Sequence, residues 1–147
     1  MAKYDKQPYV DIKQYGNEDV WNGYENIVSE IKLKLKELTA ERKVVAIDFY
    51  PGVRTEEVEA GIVNRLSADL TVFTDEDIFE DIDTIEEKIK EVVTDDRVFG
   101  KISLHTIDNF IDDKKLNEVK TKIDNAIGIV VVYGVGVNLL VDPDIYI

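Results

Sequence analysis

The chemistry that residue types and spacing come closest to supporting is phosphate binding. An apolar run, Val44-Val45-Ala46-Ile47-Asp48-Phe49, leads into Tyr50-Pro51-Gly52-Val53-Arg54-Thr55, and a helical pattern follows. That strand–turn–helix setting is where a phosphate loop of the form G-x-x-x-x-G-K-[ST] lies. Across the eight residues Asp48 to Thr55 the chain keeps a cation and a hydroxyl, Arg54 and Thr55. It loses both framing glycines, to Asp48 and Val53. Pro51 has no N–H to offer a phosphate, and the β-branched Val53 resists the positive φ that a nest of amides asks for. Glu56 and Glu57 already stand in the first turn of the following helix, where they complete its dipole and repel an incoming triphosphate. A magnesium-binding aspartate is expected at the end of a second apolar strand, but Ile129-Val130-Val131-Val132 ends in Tyr133. Phosphoryl transfer is therefore not expected, while weak phosphate binding by Arg54 and Thr55 stays open.

The other constellations are weaker. Asp75, Glu76, Asp77, Glu80 and Asp81 are hard oxygen donors of the kind calcium or magnesium takes, but their spacing lacks the central glycine of an EF-hand loop. A solvated helix start is the simpler reading. Asp95 and Asp96 before Arg97 read as a turn with a local ion pair rather than as an acid/base pair. His105 is the single histidine, so neither a histidine metal cluster nor a Ser–His–Asp arrangement can be argued. Gly134 and Gly136 either let a backbone approach a ligand or make a turn. Gly61, inside a helical pattern, points to close packing on the sheet.

Elements must position these residues. Tyr24, Ile27, Val28, Ile31, Leu35 and Leu38 recur at helical spacing behind Trp21, which reads as a packing anchor. Val44 to Phe49 is continuously apolar, as a strand buried on both faces should be. Thr55 can cap a helix with Val58, Ile62, Val63 and Leu66 on one face, and Leu70 to Phe73 is the next strand. This strand–helix–strand unit is expected to cross over right-handedly. Thr84 and Glu87 have capping-box spacing ahead of inward-facing Ile85, Ile89, Val92 and Val93. Thr94 to Gly100 is a loop, and Lys101 to Ile111 is left open between strand and helix. Leu116, Val119, Ile123, Ala126 and Ile127 make an amphipathic helix. Ile129 to Tyr133 is a second buried strand, broken by Gly134 and Gly136, and Asp144 to Ile147 starts another. Residues 1–19 read as a polar arm with a short strand near Tyr9 to Ile12, and residues 20–147 as one α/β domain. The last strand is either a short C-terminal edge strand or the point at which a longer protein has been cut; we expect the second.

Composition bounds the function. The chain has 147 residues, which suits one domain, with 44% apolar and 33% charged residues. Its formal net charge is −13, which disfavours nucleic acid and anionic membranes as partners. There is no cysteine, so disulfides and thiolate zinc sites are excluded. No signal peptide is evident, which makes the cytoplasm the expected location.

Four stretches carry a resemblance: Trp21-Asn22-Gly23-Tyr24, Val44 to Gly52 ending in Tyr-Pro-Gly, Thr94-Asp95-Asp96-Arg97-Val98-Phe99-Gly100, and Val131 to Val137. As a set, over most of the chain from about Tyr4 to Ile147, they resemble the N-terminal region of long bacterial proteins named class I mannose-6-phosphate isomerases. That region resembles a degenerate uridine-kinase-type P-loop domain. The resemblance implies that isomerase chemistry, with its zinc ion, belongs to a later cupin barrel that this chain lacks, so no catalytic or zinc residue carries over. The expected fold is a three-layer α/β sandwich with a mostly parallel sheet, P-loop NTPase-like in topology, with a degenerate phosphate loop. In open parallel sheets ligands gather at the carboxyl ends of the strands. The candidate ligand-binding residues are accordingly Asp48, Tyr50, Gly52, Arg54, Thr55, Tyr133, Gly134 and Gly136, with no catalytic residue, metal ligand or cofactor in this chain. The expected function is a non-catalytic accessory or regulatory domain of an isomerase-like, sugar-phosphate-handling protein. Its expected partner is the downstream domain of that parent, with a homo-oligomer left open. The alternatives are a nucleotide- or phosphosugar-binding module and, last, an autonomous nucleoside kinase.

Overall fold

Alternate residues of the two most apolar runs face opposite ways, and each face has found its own cover. The computed structural model describes residues 21–50, 52–96 and 98–147; the expected arm and its strand near Tyr9 lie outside them. Four strands, β1 (Arg42–Asp48), β2 (Leu70–Phe73), β3 (Gly128–Gly134) and β4 (Ile145–Tyr146), form one sheet in the order β2-β3-β1-β4. Every pairing is parallel. Parallel strands need long crossovers, and these are supplied by helices. From β1 to β2 this is α2 (Thr55–Gly61), and from β2 to β3 the single turn α3 (Thr74–Asp77), α4 (Ile82–Ile89) and α5 (Asp113–Asp124), while α1 (Tyr24–Glu37) precedes β1.

On one face Val45, Ile47, Val131 and Tyr133 pack with Val28, Ile31 and Leu35 of α1 and with Ile62, Val63 and Leu66 after α2. On the other, Val44, Ala46, Val130 and Val132 pack with Ile78 and with Val119 and Ile123 of α5. Val130, Val131 and Val132 are fully buried, and each such side chain contributes about 1.5–3 kcal/mol. The seven-residue register of β1 on β3 sets Asp48 beside Gly134 and Ile47 beside Tyr133. Strand ends far apart in sequence are thereby brought to one rim.

Several local expectations are corrected. Thr55 is the first helical residue and Arg54 occupies the cap position of α2, with no side-chain cap. The helix stops at Gly61, and a 3₁₀ turn, Val63–Arg65, carries the remaining apolar residues inward. Gly61 admits the Tyr24 ring of α1, at 2.8 Å from where a Cβ would stand, so the close packing is helix on helix rather than helix on sheet. The cap of α4 is Asp81, not Thr84: Asp81 Oδ1 accepts from the Thr84 N–H at 2.9 Å, and Thr84 spends its hydroxyl on the same carboxylate. Val93 and Ile127 are exposed, each lying past the end of its helix. Trp21 is also exposed, at the mouth of an apolar groove that Ile27 and Ile31 of α1 share with Ile145 and Ile147. Lys101 to Ile111 is neither strand nor α-helix. It holds one 3₁₀ turn, Ile107–Phe110, and an isolated antiparallel bridge between Ile111 and Phe79.

No helix among the described residues is long and apolar enough to cross a membrane.

Candidate functional site

The carboxyl ends of all four strands meet at one rim, and the rim is laced together by the chain's own side chains. Asp48 closes β1. Its Oδ1 accepts from the Gly136 N–H at 3.1 Å and its Oδ2 from the Tyr146 hydroxyl at 2.7 Å, tying β1 to the turn after β3 and to β4. Beyond Asp48, the Phe49 N–H donates to the Gly134 carbonyl at 2.8 Å. From the β2 side, Asp75 Oδ1 accepts from the Val135 N–H at 3.3 Å. Thr74, fully buried, donates its hydroxyl to the Tyr133 carbonyl at 3.4 Å or to Asp75 at 3.3 Å. The Phe73 N–H is held by Asp77 at 2.9 Å.

Gly134 and Gly136 serve this lacing. Gly134 has φ 120°, a conformation side chains avoid, and the space a Cβ would need is taken by the Thr74 hydroxyl. The group that approaches its backbone on that side is Thr74. Gly136 has φ 75° and opens the 3₁₀ turn Val137–Leu139, which aims its N–H at Asp48.

Tyr133 points into the core shared with α1 and α2. Its ring stacks on Phe73 at 4.8 Å and meets Phe49 edge-on at 6.0 Å. Its hydroxyl donates to Glu59 of α2 at 2.7 Å. Burial first, and then the Glu59 carboxylate, push the phenol well above its ordinary value. Tyr146 is likewise raised, chiefly by its bond to Asp48.

The turn between β1 and α2 is the remaining part of the site. Tyr50 is 81% exposed. Gly52 takes φ 102° with open space around it, and the Val53 N–H closes the turn on the Tyr50 carbonyl at 3.1 Å. Arg54 is exposed, and among the described residues no carboxylate lies within ion-pair distance of it. Helix α2 is only seven residues long and begins with Glu56 and Glu57 in its first turn. Pro51 lies outside the described residues.

The structure thus brings Asp48, Gly134 and Gly136 together in one hydrogen-bonded group and sets Tyr133 beneath them. Tyr50, Gly52, Arg54 and Thr55 stand apart on the turn. Sequence reasoning missed Glu59 and Tyr146, because partners 74 and 98 residues away leave no local signal. Elsewhere, Asp96 makes the expected turn by accepting from the Val98 and Phe99 N–H groups; Arg97 lies outside the described residues. His105 is exposed, with Nδ1 2.9 Å from the Ser103 hydroxyl and its ring against Phe110. Among the described residues no group of three or more His, Asp or Glu side chains is placed to hold a metal ion.

A family model matches residues 23–147; its description is a domain of unknown function, DUF8485. No curated protein and no solved structure matches the chain.

Proposed function

The chain belongs to the DUF8485 family, and on that premise we propose that it is a non-catalytic accessory or regulatory domain with a degenerate P-loop-like arrangement. One observation carries the reading. Two amides at the carboxyl rim, those of Val135 and Gly136 in the turn after β3, are already bonded to Asp75 and Asp48. A phosphate entering there would displace a carboxylate and then stand beside it, and like charges a few ångströms apart repel strongly at a partly desolvated surface. The P-loop comparison rests on the strand–turn–helix unit from β1 to α2. It is degenerate because the turn offers Asp48 and Val53 where glycines would stand. The proposed setting, beside an isomerase barrel that holds the zinc and the chemistry, rests on the family resemblance carried by Trp21 to Tyr24, Val44 to Gly52, Thr94 to Gly100 and Val131 to Val137. The domain would then support, regulate or oligomerise that parent.

Calorimetric titration with ATP, UTP and mannose 6-phosphate tests the reading: no saturable heat is expected up to millimolar ligand. A second reading, a nucleotide- or phosphosugar-binding module, is favoured by Arg54, an exposed cation without a carboxylate partner among the described residues. Micromolar binding abolished by Arg54→Ala would establish that module in place of the first reading. Metal-dependent ATP turnover would revive the kinase.

A further inference from the structure

The acidic segment between β2 and α5 carries an apolar stripe that the described residues leave only partly covered, with Ile85 and Ile89 half-buried. On α4, Ile82, Ile85 and Ile89 fall at three- and four-residue spacing, and an α-type bond from the Val93 N–H to the Ile89 carbonyl, 3.0 Å, extends the stripe to Val93. No residue of this helix is buried, and the two ends of the stripe, Ile82 and Val93, are exposed. The chain then folds back on the helix end. The Lys101 N–H donates to the Val92 carbonyl at 2.9 Å, and the Thr94 hydroxyl bonds the Phe99 carbonyl. This brings the returning chain to the end of the helix, and the residues it carries there are bare: Phe99 is 72% exposed, and Ile102 and Leu104, which follow, are 92% and 93% exposed. Scattered apolar residues on a surface need no explanation, whereas a run of this kind marks an interaction site.

The surroundings identify the partner's chemistry. Between Asp81 and Asp96 seven carboxylates, all on exposed residues, stand against two lysines. Both lysines are engaged, Lys88 with Glu80 and Lys90 with Glu87. A second copy of a chain with net charge −13 would bring the same carboxylates into register and be repelled. We propose that the face formed by α4 and residues 98–104 docks a basic amphipathic segment of another protein, its apolar side chains on Phe99, Ile102 and Leu104 and its Lys or Arg residues against the flanking carboxylates. Ile82 and Ile85 adjoin Asp75 and Val135 of the rim, but Phe99, Ile102 and Leu104 take no part in the Asp48 lacing or in the Arg54 turn, so a test at those three residues is separate from the function of the sheet rim.

The probe is a synthetic Leu/Lys amphipathic helix, with a Leu/Glu peptide and an equally charged Lys/Ser peptide as controls. Binding is followed by fluorescence anisotropy at two salt concentrations. The Leu/Lys peptide is expected to bind in a salt-sensitive manner, the Lys/Ser peptide at least about tenfold more weakly, and the Leu/Glu peptide not at all. The variant Phe99→Ser, Ile102→Ser, Leu104→Ser alters only exposed side chains, and an unchanged melting curve will show that it folds. It is expected to lose at least about tenfold in affinity for the Leu/Lys peptide. Equal affinity of variant and wild type, or of the Lys/Ser and Leu/Lys peptides, would overturn the proposal in favour of diffuse attraction to the acidic surface. So would a wild-type dimer that the same variant renders monomeric, since the face would then serve a second copy.

Discussion

Asp48 ends β1 and accepts two hydrogen bonds, one from the Gly136 amide and one from the Tyr146 hydroxyl. Its effect is visible on its partner, because the bond to Asp48 raises the Tyr146 phenol above its ordinary value. In Asp48→Asn the negative acceptor is gone, and Tyr146 is expected to ionise closer to the usual tyrosine pKa of about 10. Phenolate absorbance, read as the difference from Tyr146→Phe in each background, checks this; an unmoved titration would mean that the bond does not persist in solution. Tyr133 offers a second test. Burial and Glu59 favour its neutral form in the folded protein, so its folded pKa lies above the unfolded one. Its contribution to stability is complete below about pH 10 and is lost as pH rises further, because the unfolded chain then releases a proton that the folded one retains. Urea midpoints between about pH 9 and 11 should fall more steeply for the wild type than for Tyr133→Phe. Some slope will survive in the variant, since Tyr24 and Tyr146 are also raised.

At the level of elements, the two long strands and α4 are opposites. β1 and β3 exchange a seven-residue register and bury residues on both faces. Helix α4 has no fully buried residue, only half-buried Thr84, Ile85 and Ile89, and relies on its cap. The bond from the Thr84 N–H, and then that from its hydroxyl, hold the Asp81 carboxyl below the usual carboxylate range. The cap therefore works above about pH 4 and fails as pH falls through the lower folded value. In Asp81→Ala, amide exchange from Thr84 to Ile89 should quicken while the β1 and β3 amides keep their protection. A uniform loss of protection would show that α4 is coupled to the sheet after all. The strands were legible in sequence for the reason that makes them stable: Val44 to Ile47 and Ile129 to Val132 are apolar without alternation, which only a doubly covered strand requires. The helix ends were not, because Thr55 and Thr84 have capping chemistry but sit one and three residues inside their helices.

For the molecule as a whole, the sheet order β2-β3-β1-β4 gathers four strand ends at one rim and decides which candidates meet. Local spacing marked Asp48, Gly134 and Gly136 but could not join them, since their contacts span up to 88 residues. It also could not tell that Tyr133 points inward, because a buried parallel strand has apolar residues on both faces and shows no preferred side. What the glycines accommodate is likewise a matter of the assembled fold: Thr74 approaches Gly134 only once β2 lies beside β3. The account's central claim is that internal carboxylates already hold the amides of Val135 and Gly136 in the turn after β3. Amide NMR shifts of Val135 and Gly136, followed while ATP is raised to millimolar concentration, read that claim directly. The account predicts that both signals stay in place, whereas saturable shifts of these two together with Gly52 and Arg54 would contradict it.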